Sequence, residues 1–185
     1  MPRQHSTLRL RDFDYSYPGA YFVTLVTWNR EMLFEDVRSK SIVERCWRWL
    51  GEHFREVVID EFVVMPNHLH GILILNGTEQ GNTRPPSTRP SRRAPTAELA
   101  PPSRKPVGRL VGAFKTVSTS QINDLRATPG AQVWQRNFHD RIVRSARELD
   151  RIRKYIYDNP AMWEHDPENP SQQALHHPSK AQFPL

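Results

Sequence analysis

The stretch that decides the fold is Val57-Val58-Ile59-Asp60-Glu61-Phe62-Val63-Val64-Met65-Pro66-Asn67-His68-Leu69-His70-Gly71-Ile72-Leu73-Ile74-Leu75. Two β-branched, apolar runs flank a two-residue Pro-Asn link. Each run reads as a strand, and so short a link pairs them antiparallel. In the second run His68, His70, Ile72 and Ile74 share one face, while Leu69, Leu73 and Leu75 fill the other. Both faces are apolar beyond the histidines, so this strand is expected to be central. Its histidines lie at the strand's beginning, where a sheet ends and a site can open.

Working outward, residues 20–28 (Ala-Tyr-Phe-Val-Thr-Leu-Val-Thr-Trp) read as another strand, punctuated at its start by Pro18-Gly19. Residues 39–54 read as a helix, with Ile42, Val43, Cys46, Trp49 and Leu50 at helical spacing. A second helix is expected over 107–126, on the face Leu110, Val111, Phe114, Val117, Ile122 and Leu125. Residues 132–143 suggest short extended pieces around a turn. The last helix starts at a capping box, Ser145-Ala-Arg-Glu148, and runs to Asn159 before Pro160. The order predicts an α+β fold, a central antiparallel sheet covered by helices, ferredoxin-like.

Between the histidine strand and the next helix, residues 76–106 hold seven of the chain's sixteen prolines and no aromatic residue. They read as a flexible, Pro/Arg-rich insertion. The domain expected is a single one over 1–163, interrupted there and followed by a C-terminal tail, 164–185. Residues from 161 onward, rich in turn formers, are expected on the surface or disordered.

Of 185 residues, 25% are charged, and the net charge is +6. The charge falls in two blocks. Residues 77–106 carry six basic residues against two acids, and residues 136–154 carry seven against three. Polyanions are therefore the first partner class to consider. A single cysteine, Cys46, excludes an internal disulfide framework and any multi-cysteine metal site. No apolar run is long enough for a membrane helix, and the N-terminus lacks the apolar core of a secretory signal. A cytoplasmic, reducing setting and no membrane partner are expected.

Two imidazoles two residues apart on a strand can bind one divalent metal. Taken alone, the pair reads more readily as ordinary strand-end histidines. The last helix adds to it. At 100° per residue Leu149, Ile152 and Ile156 form the buried stripe, and Tyr155 and Asn159 fall together on its flank. Tyr157 points away. A helix laid on the sheet would present a phenol, which is a nucleophile, and an amide oxygen suited to Mg²⁺ or Mn²⁺. Taken alone, these two read as an amphipathic edge residue and a C-cap.

In combination, Pro66-Asn67-His68-Leu69-His70-Gly71 resembles the His-hydrophobic-His (HUH) motif of single-tyrosine transposases. The resemblance is to the insertion-sequence 200/605 type and the related REP-associated tyrosine transposases. The lead-in Gly19-Ala20-Tyr21-Phe22-Val23-Thr24 and the later Trp134-Gln135-Arg136-Asn137-Phe138-His139-Asp140 look like that group too. So does Tyr155-Ile-Tyr-Asp-Asn159-Pro160, which points to Tyr155 rather than Tyr157. The resemblance covers residues 9–75 and 107–163.

It implies a transposase that cleaves and rejoins single-stranded DNA near hairpins through a 5′-phosphotyrosine. Tyr155 would be the catalytic nucleophile, and His68, His70 and Asn159 would hold Mg²⁺ or Mn²⁺. Lys115, Arg136, Arg141, Arg144, Arg151 and Lys154 are the candidate DNA contacts. Trp47, Trp49 and Trp134 read as core first and base-stacking residues second, and His139 as an ordinary histidine before a base. Family members often pair as homodimers. Two other readings stay open: a non-catalytic hairpin- or repeat-DNA-binding relative, and a metal-dependent hydrolase that ignores the tyrosine. The hydrolase would draw a third ligand from Asp60 or Asp140.

Overall fold

Apolar alternation with period two produces the strands, and the computed structural model describes residues 18–76 and 106–171. The elements are β1 (Gly19–Val26), α1 (Val37–His53), β2 (Val57–Met65), β3 (His68–Leu75), α2 (Pro106–Arg126), β4 (His139–Val143) and α3 (Ala146–Asp158). Three 3₁₀ turns complete them, Trp28–Arg30, Leu33–Glu35 and Asn159–His165. The flexible insertion expected over 76–106 lies, apart from its two end residues, outside the described residues, as do residues 172–185 of the tail.

The sheet is antiparallel throughout, in the order β2-β3-β1-β4. That order, with α1 crossing from β1 to β2 and α2 from β3 to β4, is the expected ferredoxin-like α+β sandwich. Helix α1 starts two residues earlier than the apolar spacing suggests. The Asp36 carboxylate caps it, accepting from the amides of Arg38 and Ser39.

The two faces of the sheet divide the labour. Tyr21, Val23 and Leu25 of β1 and Leu69, Leu73 and Leu75 of β3 join the core with Trp47 and Leu50 of α1 and Leu110, Phe114 and Ile122 of α2. The opposite face carries Phe22 and Thr24 beside His68, His70 and Ile72, and α3 lies across its β2 side. A register shift in β2 between Ile59 and Phe62 lets the strand serve both faces. One extra residue there changes the parity, so Ile59 and Phe62 both pack against the core. Asp60, freed at the bulge, takes the Arg153 guanidinium of α3 in a forked pair, with Oδ2 at 3.1 Å from Nε and 2.8 Å from Nη2. This pair seats the helix that carries Tyr155.

Trp47 and Trp134 are buried in the core. Trp134 donates from Nε1 to the Ser118 hydroxyl at 3.0 Å, and Trp49 packs on His53 and Phe54. Their core reading is the one the fold uses. The segment after α3 lies mostly on the surface, as expected, but it is anchored there: Asn159, Asp166 and Asn169 are buried among exposed neighbours. Turn-forming residues there satisfy their own backbone, as when Asn169 Nδ2 donates to the Trp163 carbonyl at 2.9 Å. A segment without periodicity can thus still dock.

Gly71 lies under the Trp47 indole, and a Cβ added there would sit 2.6 Å from the ring. Gly71→Ala is expected to lower stability by about 1–3 kcal/mol through overpacking. Urea denaturation of the two proteins measures the difference.

Candidate metal and tyrosine site

The site grows from the Pro66-Asn67 turn. Asn67 is fully buried, and its amide Nδ2 donates to the Glu168 carbonyl at 2.7 Å and the Arg30 carbonyl at 3.4 Å. Both carbonyls need a donor, so the amide cannot be turned round. Its Oδ1 therefore faces His68 Nδ1 at 2.9 Å, and an oxygen that only accepts requires Nδ1 to carry the proton. The lone pair of His68 is then on Nε2, aimed into the site.

His70 Nε2 lies 3.0 Å from His68 Nε2, and its Nδ1 lies 2.8 Å from the Thr24 hydroxyl. A hydroxyl can donate or accept, so Thr24 serves either tautomer. His70 can present its Nε2 lone pair without losing this bond. Phe22 stacks on the His70 ring, centroids 5.4 Å apart.

Helix α3 brings Tyr155 over the pair. Its hydroxyl is 3.2 Å from His70 Nε2, and its ring meets Phe22 edge-on. Tyr157, two residues on, is 83% exposed. Asn159 is buried at the end of the same helix, and its Oδ1 has no hydrogen-bond partner. Asp166 follows: its Oδ1 accepts from the Glu168 amide at 2.7 Å, and its Oδ2 lies 3.7 Å from His68 Nε2. One ligand atom from each of His68, His70 and Asp166 falls within 4.8 Å of the others. Two imidazoles and a carboxylate, beside an orphaned amide oxygen, are a donor set that fits a divalent cation. Tyr155, Asn159 and Asp166 also line a cavity of about 590 Å³.

Burial sets the protonation states. It pushes His68 down to about 4 and His70 to about 3, the latter helped by His68 and opposed by the Asp166 charge. Both rings are neutral near pH 7, the form that ligates metal. The same burial, with Asp166 and Glu168 adding negative field, pushes the Tyr155 phenol up, while hydrogen bonding from Asn159 opposes it. The phenol is protonated at rest.

The candidate DNA contacts divide. Arg136, Arg144 and Arg151 are exposed. Arg141, in register with Phe22 on the histidine face, pairs with Glu148 at 2.5 Å. Lys154 pairs with Asp158 at 2.7 Å. Lys115 is placed differently, since α2 covers the other face of the sheet. Its ammonium donates to the carbonyls of Gln135 at 2.7 Å and Asn137 at 3.1 Å, and burial pushes it down to about 8. It braces the approach to β4. His139 is exposed, in register with Thr24 at the sheet edge.

Asp166 is the residue that the sequence did not disclose. Asp60, one carboxylate considered for a third ligand, is occupied by Arg153. Asp140, the other, pairs in register with Val23, whose side chain faces the core helices. Thr24 and Phe22 could have been found from their alternation on β1, given the pairing register. Nothing local marks Asp166 beyond its turn context.

No protein-family model matches the chain. A protein of Haemophilus influenzae (strain Rd), itself uncharacterized, is 32% identical over 168 residues, spanning 86% of this chain and 90% of its own length. The chain belongs to that protein's family. Among solved structures, a REP-associated tyrosine transposase bound to a REP hairpin superposes with a TM-score of 0.50. Its sequence is 17% identical, and the match covers 80% of this chain and 71% of that one. This chain thus shares its α+β fold with that structure. Among the described residues, no helix is long and apolar enough to cross a membrane.

Because both histidines are held neutral, the unfolded chain binds more protons than the fold once the pH drops below the ordinary histidine value of 6.5. Stability is expected in full above that value. It should fall by about 1.4 kcal/mol per pH unit for each histidine as acid is added, levelling near pH 3–4. Urea midpoints in chelator-treated buffer check this, and a His68→Gln/His70→Gln double variant should show a shallower profile.

Proposed function

We propose that this protein is a metal-dependent single-strand DNA nuclease and strand transferase, a transposase-type enzyme acting next to hairpins through a 5′-phosphotyrosine. The observation that carries the reading is the Tyr155 hydroxyl 3.2 Å from His70 Nε2, itself 3.0 Å from His68 Nε2. A nucleophile and a metal-binding pair therefore address one reacting atom. The solved structure of like fold is described as bound to a REP hairpin, which supports hairpin DNA as the substrate class.

His68, His70 and Asn159 are assigned as ligands of Mg²⁺ or Mn²⁺. A bound ion would supply positive charge at the scissile phosphate. Tyr155 Oη forms the bond to phosphorus and the bond to the 3′-oxygen breaks. The phenol gives up its proton and the leaving 3′-oxygen gains one. Attack by a 3′-hydroxyl on the phosphotyrosine reverses these steps and rejoins strands, so no nucleotide cofactor is required. Helix α3, held by Asp60 and Arg153, orients the phenol, and Phe22 supports both rings.

Exposed Arg136, Arg144 and Arg151, with Arg141 and Lys154, would track phosphates beside the site. Lys115 supports the same surface from behind, through the carbonyls of residues 135–137. Residues 1–163 are assigned to one HUH domain, acting in the cytoplasm, with homodimers allowed by the reading.

The test mixes the protein with Mn²⁺ or Mg²⁺ and labelled single strands from the DNA flanking its gene, hairpins included. A denaturing gel should show a metal-dependent covalent adduct, lost by at least a hundredfold in Tyr155→Phe and in His68→Ala. Binding without an adduct favours a non-catalytic hairpin binder. Cleavage that survives Tyr155→Phe favours a metal-dependent hydrolase.

A further inference from the structure

We propose that residues 159–171 form a docking arm that delivers Asp166 to His68 and His70 as a further protein ligand beside Asn159, latched in place by Asn67. The inference rests on the metal reading above and adds to it a carboxylate and a device that positions it.

Three observations carry it. First, Asp166 is 5% exposed, and among the described residues no lysine or arginine forms an ion pair with it. A carboxylate taken out of water needs compensating positive charge. The His68 and His70 imidazoles each bring a nitrogen within 4.8 Å of it, and a divalent cation among the three would supply that charge. Second, the carboxylate is aimed. The Glu168 amide holds Oδ1 at 2.7 Å, which leaves Oδ2 toward His68 Nε2 at 3.7 Å. Metal ligands are commonly oriented by such an outer hydrogen bond. Third, the arm offers a second donor without a partner, the buried Oδ1 of Asn159.

The latch sits on the other side of the cluster. Asn67 Nδ2 grips the arm through the Glu168 carbonyl, and Asn67 Oδ1 sets the tautomer of His68. The Glu168 carboxylate adds an ion pair to Arg30 Nε at 2.8 Å. Trp163 covers His68, ring centroids 6.0 Å apart. One amide thus aligns a ligand on the sheet with a ligand on the arm. Asn67 is a positioning residue: it acts through His68 and the arm rather than as a ligand itself. Docking of the arm and binding of the ion are then linked: each strengthens the other.

The experiment is calorimetric titration of the full chain with MnCl₂, joined to hydrogen exchange of the amides in residues 163–169. Asp166→Asn should weaken Mn²⁺ binding about tenfold or more, and Glu168→Ala, which leaves every ligand atom in place, severalfold. Mn²⁺ should slow exchange in the arm of the parent protein and leave the arm of Asp166→Asn unprotected. Equal affinity in the parent protein and Asp166→Asn, with binding lost in His68→Ala, overturns the arm and leaves the histidine metal site standing. Arm exchange indifferent to Mn²⁺ in a parent protein that binds the ion overturns the linkage. A parent protein that binds no Mn²⁺ removes the metal reading and the arm with it.

Discussion

The side-chain amide of Asn67 is the constraint on which the site depends. Its nitrogen meets two carbonyls from segments far apart in the chain, Arg30 and Glu168, and its oxygen meets His68. Its backbone carbonyl accepts from the Thr27 amide at 2.9 Å. Four pieces of structure are held together: the end of β1, the loop after it, the β2–β3 turn and the segment after α3. Reversing the amide would set its oxygen against two carbonyl oxygens and lose both bonds. The orientation is therefore fixed, and with it the proton on His68.

Low dielectric then does two things at once. It keeps His68 and His70 neutral, the form able to ligate a metal, and it pushes the Tyr155 phenol further from ionisation. The fold contributes position rather than a pre-ionised tyrosine. Positive charge arriving with a cation would act on a phenol already placed beside the histidine pair.

The placement of that phenol traces back to one extra residue in β2. Without the bulge, either Ile59 or Phe62 would leave the core, and Asp60 would lie in an ordinary strand position. With it, both apolar residues stay inside, and the Asp60 carboxylate meets Arg153. The same register that satisfies the core thus orients the helix on the opposite face. Phe22, packed against both His70 and Tyr155, ties β1 to the arrangement.

Much of this was legible locally. The paired strands Val57–Met65 and His68–Leu75, the cap at Ser145 and the turning of Tyr155, not Tyr157, toward the sheet follow from periods of two and 3.6 and from one capping pattern. These are set by backbone geometry over four or five residues, so the sequence by itself determined them. Which carboxylate meets the histidines, which lysine is free for solvent and which amide holds the turn were decided by tertiary structure alone. Asp60 went to Arg153, Lys115 to the carbonyls of 135–137, and Asp166 came from a segment whose composition reads as a loose tail. The physical reason is that a polar side chain's partner is chosen by sheet register and by the docking of distant segments. Neither leaves a periodic trace in the chain.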